Sequence, residues 1–267
     1  MLKDLRKYID KRKICHMILN DAETTYGPMT IFKWLGLLAL VGLAACSRAP
    51  SVQGISDPHE KENRVVHDLN VKLDRAIVRP VATGVAKTLP TPVEVGITNF
   101  AGNLEIPGTV VNDVLQARLG LAFQNTLRFA VNSTVGLGGL FDPAAKMGAP
   151  AKPSDFGETL HVWGVAEGDY IELPLLGPST QRDTLGKVVD YFLDPLSMIV
   201  PKPAHLGLYS KLAAKISDRG RYTETIDSIL YDSADGYAQS RLLYLEHRRF
   251  NLGEAPSDTT FEDPYAQ

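Results

Sequence analysis

The stretch LGLAFQNTLRFAVNSTVGLGGLFD, residues 119–142, decides the fold class. Leu119, Phe123, Leu127, Ala130 and Val131 recur at helical spacing past Gly120, so their side chains share one face of an amphipathic helix. The pattern stops at Gly136-Leu137-Gly138-Gly139-Leu140-Phe141, where glycines allow backbone conformations closed to other residues. A helix followed by a glycine-rich turn is the unit that this stretch predicts.

The same helical period extends in both directions. Upstream, Val66, Leu69, Leu73 and Ile77 lie on one face, and Pro80 breaks the pattern. Ile97, Phe100 and Leu104 follow a turn at Pro90-Thr91-Pro92, and Val111, Val114 and Leu115 continue after Pro107-Gly108. Downstream, Pro143, Gly148, Pro150, Pro153, Gly157, Gly164 and Gly168 punctuate a stretch without a steady period, which predicts turns, short helices and a long loop. Regularity returns at Ser179. Thr180 and Asp183 have capping-box spacing, and Leu185, Val188, Val189 and Phe192 then line one face. Two more helices are expected after Pro201 and Pro203. The first carries Leu208, Leu212 and Ile216; the second runs from about Ser233 with Tyr237, Arg241, Tyr244 and Arg248 on one face. Asp169 to Leu173 is the best strand candidate, and it is short. The chain reads as mostly α, without internal repeats.

The N-terminal region carries a different signal. The apolar run from Trp34 to Ala45 closes in Leu43-Ala44-Ala45-Cys46. Small residues after an apolar run are the form of a secretory signal, and the cysteine directly behind them resembles the lipobox of bacterial lipoproteins. The plainer alternatives are an ordinary signal peptide or a buried helix with a chance cysteine. A lipobox implies cleavage before Cys46 and acylation of its sulfur and amine. Met29-Thr30-Ile31-Phe32-Lys33 would serve as a short cationic n-region, so translation is expected to start at Met29. The resulting organisation is a leader and signal over 1–45, a tether over 46–56, a helical domain over 57–250 and a polar, loose tail over 251–267.

Removing 1–45 leaves 222 residues with 21 basic and 27 acidic side chains, a net charge of −6. That balance argues against nucleic-acid binding, which needs a cationic face. Cys15 is lost with the leader and Cys46 would carry lipid, so no intramolecular disulfide is expected.

No G-x-S-x-G elbow, H-E-x-x-H or paired-cysteine spacing is present. His59, His67, His161, His205 and His247 are scattered without ligand spacing. Gly136, Gly138 and Gly139 lack the strand and the lysine or acidic partner of a phosphate loop, so a turn or hinge is the better reading. The Tyr237, Arg241, Tyr244, Arg248 stripe fits a helix packed on the core through cation–π contacts better than arginines reaching for lipid phosphate. Trp163 fits either a bilayer interface or a core.

Several separate stretches together resemble the MlaA/VacJ outer-membrane lipoproteins, which help maintain lipid asymmetry. They are Asp57-Pro58 through Glu60, Asn63-Arg64, Asn99-Phe100, Asn103-Leu104 and Pro107. Asn112, Leu115-Gln116, Arg128 and Asn132 follow, then Gly136 through Asp142, Phe156-Gly157, Thr159-Leu160 and Trp163-Gly164. Tyr170, Leu173 through Ser179, Arg182-Asp183 and the tyrosine–arginine stripe complete the match, which covers about Asp57 to Phe250. His67-Asp68, Ala117 and Pro143 depart from the family's usual residues.

The resemblance implies a ring-like assembly of amphipathic helices around a channel, with a Gly/Pro-rich central loop, lying in the inner leaflet of the outer membrane. It implies a lipid-anchored protein on the periplasmic side that takes mislocalised phospholipid from the outer leaflet. A trimeric outer-membrane porin and a soluble periplasmic phospholipid carrier are the implied partners. No cofactor and no covalent chemistry are implied, and Ser47 behind the cysteine implies sorting to the outer membrane. The segment from Gly138 to about Phe156, with Gly139 and Phe141, resembles the family's mobile segment and is expected to gate lipid entry. Asn99, Asn103, Asn112, Asn132 and Arg182 are candidates for channel lining or structural caps, and helix capping is the expected role for most of the asparagines. A lipid-anchored hydrolase and a purely structural envelope lipoprotein are the rival functions.

Overall fold

The computed structural model describes residues 55–193 and 206–254. Cys46 and its lipobox, the start at Met29, nearly all of the tether and residues 255–267 lie outside the described residues. From Glu60 the chain runs as α1 (Glu60–Leu73), a π-helical turn (Asp74–Val78) and α2 (Arg79–Thr88). Pro80 therefore does not end the helix. It sits in the first turn of α2, where a missing N–H costs least, and the wide turn just before it absorbs the change of register.

Next come α3 (Thr91–Leu115) and α4 (Leu119–Thr134). The helical period that continues past Pro107-Gly108 is one helix, because α3 runs through Pro107. Packing of α3 against α4 and, further on, α8 (Leu206–Arg221) outweighs the roughly 3 kcal/mol cost of one interior proline. The α3–α4 corner turns at Ala117, which holds a left-handed φ of 58°. A glycine would take that conformation without strain.

The central stretch contains α5 (Pro143–Lys146) and α6 (Phe156–Val162). Asp142 and Asp155 cap them, accepting from the Ala145 and Glu158 amides at 3.0 and 2.7 Å. Then β1 (Tyr170–Leu173) pairs antiparallel with β2 (Gly177–Thr180), Tyr170 opposite Thr180. The strand expected at 169–173 is present. α7 (Gln181–Leu193) follows, with the Asp183 amide donating to Thr180 Oγ1 at 3.2 Å.

After α8 come α9 (Thr223–Leu230) and α10 (Gly236–Asn251), so three helices stand among the described residues where two were expected. The last begins at Gly236 rather than Ser233 because the Asp235 side chain caps it, accepting from the Ala238 amide at 3.0 Å.

Burial is inverted along these helices. Among the described residues, ten buried side chains are apolar and twenty are polar or charged. On α4 the apolar face found in the sequence points outward, with Phe123 65% and Leu119 67% exposed, while Ala122, Asn125, Arg128 and Asn132 are buried. On α7 the face with Leu185, Val188 and Phe192 is exposed, and Arg182 and Asp183 are buried. A small apolar cluster remains at Tyr170, Tyr237 and Leu245. No helix among the described residues is long and apolar enough to cross a membrane.

Ion pairs and close backbone crossings hold the elements together. Along α10, Tyr237 and Arg241 both donate to Asp57. Tyr244 donates to Asp183 at 2.6 Å. Arg248 bridges Asp155 at 2.7 Å and Asp183 at 3.0 Å. The Arg241 and Arg64 guanidiniums also stand over the Tyr237 ring, at 5.2 and 4.5 Å. The stripe is thus the packed, cation–π version favoured by the sequence, with three carboxylates added. His67 sits edge-on to the Tyr237 ring at 5.5 Å. Pro143 occupies the first turn of α5, a favourable place for it.

Candidate functional site

The inward faces of α3 and α4 border two cavities. The larger, about 760 Å³, lies between α3, the Arg118 corner, residues 151–155 and side chains of α6, α7, α8 and α10. The smaller, about 300 Å³, is bordered by Asn99, Asn103, Asn125, Arg128, Asn132 and Asp142 among others. Both share Glu105, Thr109, Ala151, Lys152 and Pro153, so they meet along one seam. The physical reason is local: each helix presents short polar side chains on its inner face, and these leave space that leucines would fill.

Hydrogen bonds fix these walls. Asn125 donates to Asp113 at 2.7 Å and to the Lys152 carbonyl at 3.3 Å. Asn112 donates to Asp190 at 3.0 Å and accepts from the Thr159 hydroxyl at 2.9 Å. Gln116 reaches Ser154 and Thr159. Arg128 holds Asp142 at 2.9 Å and the Ala149 carbonyl, which ties the central loop to α4. Three ion pairs stand on the wall of the larger cavity: Arg118 with Glu158, Lys211 with Glu105 at 3.4 Å, and Arg248 with Asp155.

The asparagines do not cap helices as expected. Asn99 donates to the Leu140 carbonyl at 3.2 Å, and Asn103 to Ser133 at 3.0 Å. Asn132 comes nearest to a cap, accepting from the Ala144 amide at 3.1 Å while it donates to Asp142. The caps are Asp142, Asp155, Asp235 and Thr180 instead, and the asparagines join elements 10 to 78 residues apart. An amide both donates and accepts, which suits a wall needing both sides satisfied.

Asn99, Asn103 and Asn132 border the smaller cavity and Asn112 the larger. Arg182 borders neither; it is buried against His161 and the Val165 carbonyl. Gly139 has φ 98°, and a Cβ there would stand 2.5 Å from the Asn103 side chain. Gly138 and Phe141 are exposed. Sequence reasoning missed Asp113, Asn125, Asp190 and Lys152. For Asp113 and Asn125 the available signal was their place opposite the apolar face of their own helices.

Charge on the walls sets a pH response. Burial raises the Asp113 and Asp190 carboxyls above the ordinary 3.8. Burial also acts on Asp142 and Asp155, but hydrogen bonds from Arg128 and Arg248 outweigh it and hold them below that value. A raised folded pKa means the folded form binds the proton more tightly, so acidification from neutral through that pKa adds stability. Below about 3.8 the second pair protonates in the unfolded chain first, and the stability it supplies is lost as pH falls further. Burial lowers the His161 imidazole below its ordinary 6.5, so its protonation costs stability over the same range, and the Asp190 contribution is read by difference. Denaturant titrations of Asp190→Asn and wild type should differ most near neutral and converge as pH falls toward about 4; a difference that stays constant over that range would contradict the scheme.

A family model described as MlaA lipoprotein matches residues 55–251. The intermembrane phospholipid transport system lipoprotein MlaA of Escherichia coli is 36% identical over 240 residues, 87% of this chain and 92% of that protein. An uncharacterized protein of Rickettsia felis is 36% identical over 188 residues, 70% of this chain and 74% of that one. A solved chain from work on the structural basis for maintenance of bacterial outer membrane lipid asymmetry superposes with a TM-score of 0.61 at 32% identity. It covers 74% of this chain and 99% of its own. The mostly helical fold expected from the sequence is the fold of that neighbour.

Proposed function

As the chain belongs to the MlaA lipoprotein family, we propose that it removes mislocalised phospholipid from the outer leaflet of the outer membrane. The lipid passes through a polar-walled route toward a soluble periplasmic carrier, and lipid asymmetry is maintained. The observation that carries this is the inverted burial: polar side chains line the cavities while large apolar side chains face outward.

A phospholipid headgroup entering hydrocarbon loses its water at a cost of several kcal/mol, and roughly ten or more for an isolated charge. A wall of asparagines, threonines and paired charges replaces that water. Tails meanwhile stay against an apolar exterior that lipid can wet. The helices thus serve as a ring-like collar lying in the inner leaflet. Acyl chains on Cys46 add about 0.8 kcal/mol per buried methylene, so more than one chain gives stable anchoring on the periplasmic side. A trimeric porin braces the collar, and the loop from Gly138 to Phe156 gates it; Ala151, Lys152 and Pro153 of that loop border both cavities.

The test is deletion of the gene followed by labelling of surface phospholipid. Outer-leaflet phospholipid should rise and return to normal on complementation. An unchanged surface after deletion would refute the transport role.

A further inference from the structure

Almost every charge on the cavity walls is already matched. Arg118, Lys211 and Arg248 pair with Glu158, Glu105 and Asp155, and Arg128 pairs with Asp142. Asp113 and Asp190 accept hydrogen bonds from Asn125 and from Asn112 with the Phe156 amide. Among the described residues, Lys152 is the one cationic lining residue whose charged head has neither a carboxylate nor a hydrogen-bond partner. It is also on the seam, bordering both cavities.

Its backbone is hydrogen-bonded to α4 while its head is free. The Lys152 carbonyl accepts from Asn125, and Pro153 behind it restricts its backbone to extended conformations. Four methylenes carry the ammonium, a compact charge with three rotatable donors that can follow a moving phosphate. Paired cations on the same walls must break an existing contact to do this. Lys152 need only exchange water.

We infer that Lys152 is the phosphate-reading group of the passage. Its ammonium takes the phosphodiester of a glycerophospholipid headgroup at the seam, so lipids bearing phosphate are admitted in preference to diacylglycerol with the same tails. This rests on the passage proposed above and assigns its selectivity to one side chain.

The test uses the full acylated protein in vesicles, with phosphatidylglycerol or diacylglycerol carrying a photoactivatable group on one tail. Labelling is read on the peptides that line the cavities. Wild type should label better with phosphatidylglycerol. Lys152→Gln should lose about fivefold of that labelling, the scale of one solvent-accessible ion pair, while Lys152→Arg keeps it. Diacylglycerol labelling should be equal in all three, which also reports an intact fold. A phosphatidylglycerol preference that survives Lys152→Gln overturns the assignment and leaves the passage standing. Wild-type cavities that label with neither lipid overturn the passage itself. A wild type without lipid preference, in which Lys152 still binds inorganic phosphate over chloride at equal ionic strength, makes Lys152 a free-anion site and overturns the lipid reading.

Discussion

Gly186→Ala should destabilise this protein, although the same change at Gly84 should stabilise it. Both glycines are helical, in α7 and α2, and alanine is favoured over glycine inside a helix by about 0.5–1 kcal/mol. At Gly84 a new Cβ meets nothing within 4 Å, so that gain is free to appear. At Gly186 it would stand 2.4 Å from the Gly157 nitrogen and 2.7 Å from its Cα. The obstacle is backbone, which cannot rotate away as a side chain does. α6 and α7 must separate, and the cost should reach roughly 3 kcal/mol or more. Separation also pulls on Asp155 and Asp183, the two carboxylates that Arg248 bridges. Leaving that partly buried network incomplete adds to the loss. Unfolding midpoints of the two variants, measured in one lipid or detergent system, should move in opposite directions. If both rise together, α6 and α7 do not cross as closely as described.

The Gly157–Gly186 crossing shows what the sequence could and could not convey. Periodicity located the helices well, because a 3.6-residue repeat such as Leu119, Phe123 and Leu127 is written locally. It does not say which face turns inward. In most folds the apolar face does, and here the inner face of α4 is Ala122, Asn125, Arg128 and Asn132. A clue was present in that composition. Asparagines and one arginine, without lysine or glutamate, are a poor choice for a face left in water. Proline was over-read at Pro80, which sits in the first turn of α2 instead of ending the helical stretch. The tyrosine–arginine stripe was legible as a face, but its partners were not. Asp57 and Asp183 lie 184 and 61 residues from the side chains that bind them, and nothing in local spacing encodes such a distance. Lys152 stood in a stretch with no period at all, so only the meeting of two cavities marks it.

Phe123→Arg should weaken membrane embedding sharply, and this is where the inside-out reading is most exposed to failure. At an exposed site of a water-borne protein, such a change ordinarily moves stability by about 0.5 kcal/mol or less. Against hydrocarbon, one arginine costs about 2–4 kcal/mol, depending on depth. Phe123 is 65% exposed on the outward face of α4, in line with Leu119 and Leu127, so the larger figure applies if lipid covers that face. Acyl chains on Cys46 would keep the variant attached, so attachment alone is the wrong readout. Depth is the right one. The sequence has two tryptophans, and the proposed cleavage before Cys46 would remove Trp34 and leave Trp163 as the single reporter. Trp163 is 51% exposed and donates to the Leu115 carbonyl at 3.2 Å, beside the corner that leads into α4. Brominated lipid tails should quench its emission strongly in the wild type and in Phe123→Leu, and much less in Phe123→Arg. Adding Leu127→Arg should reduce quenching further. Wild-type emission untouched by bromine at any depth would place Trp163 in water and remove the apolar exterior from the transport mechanism.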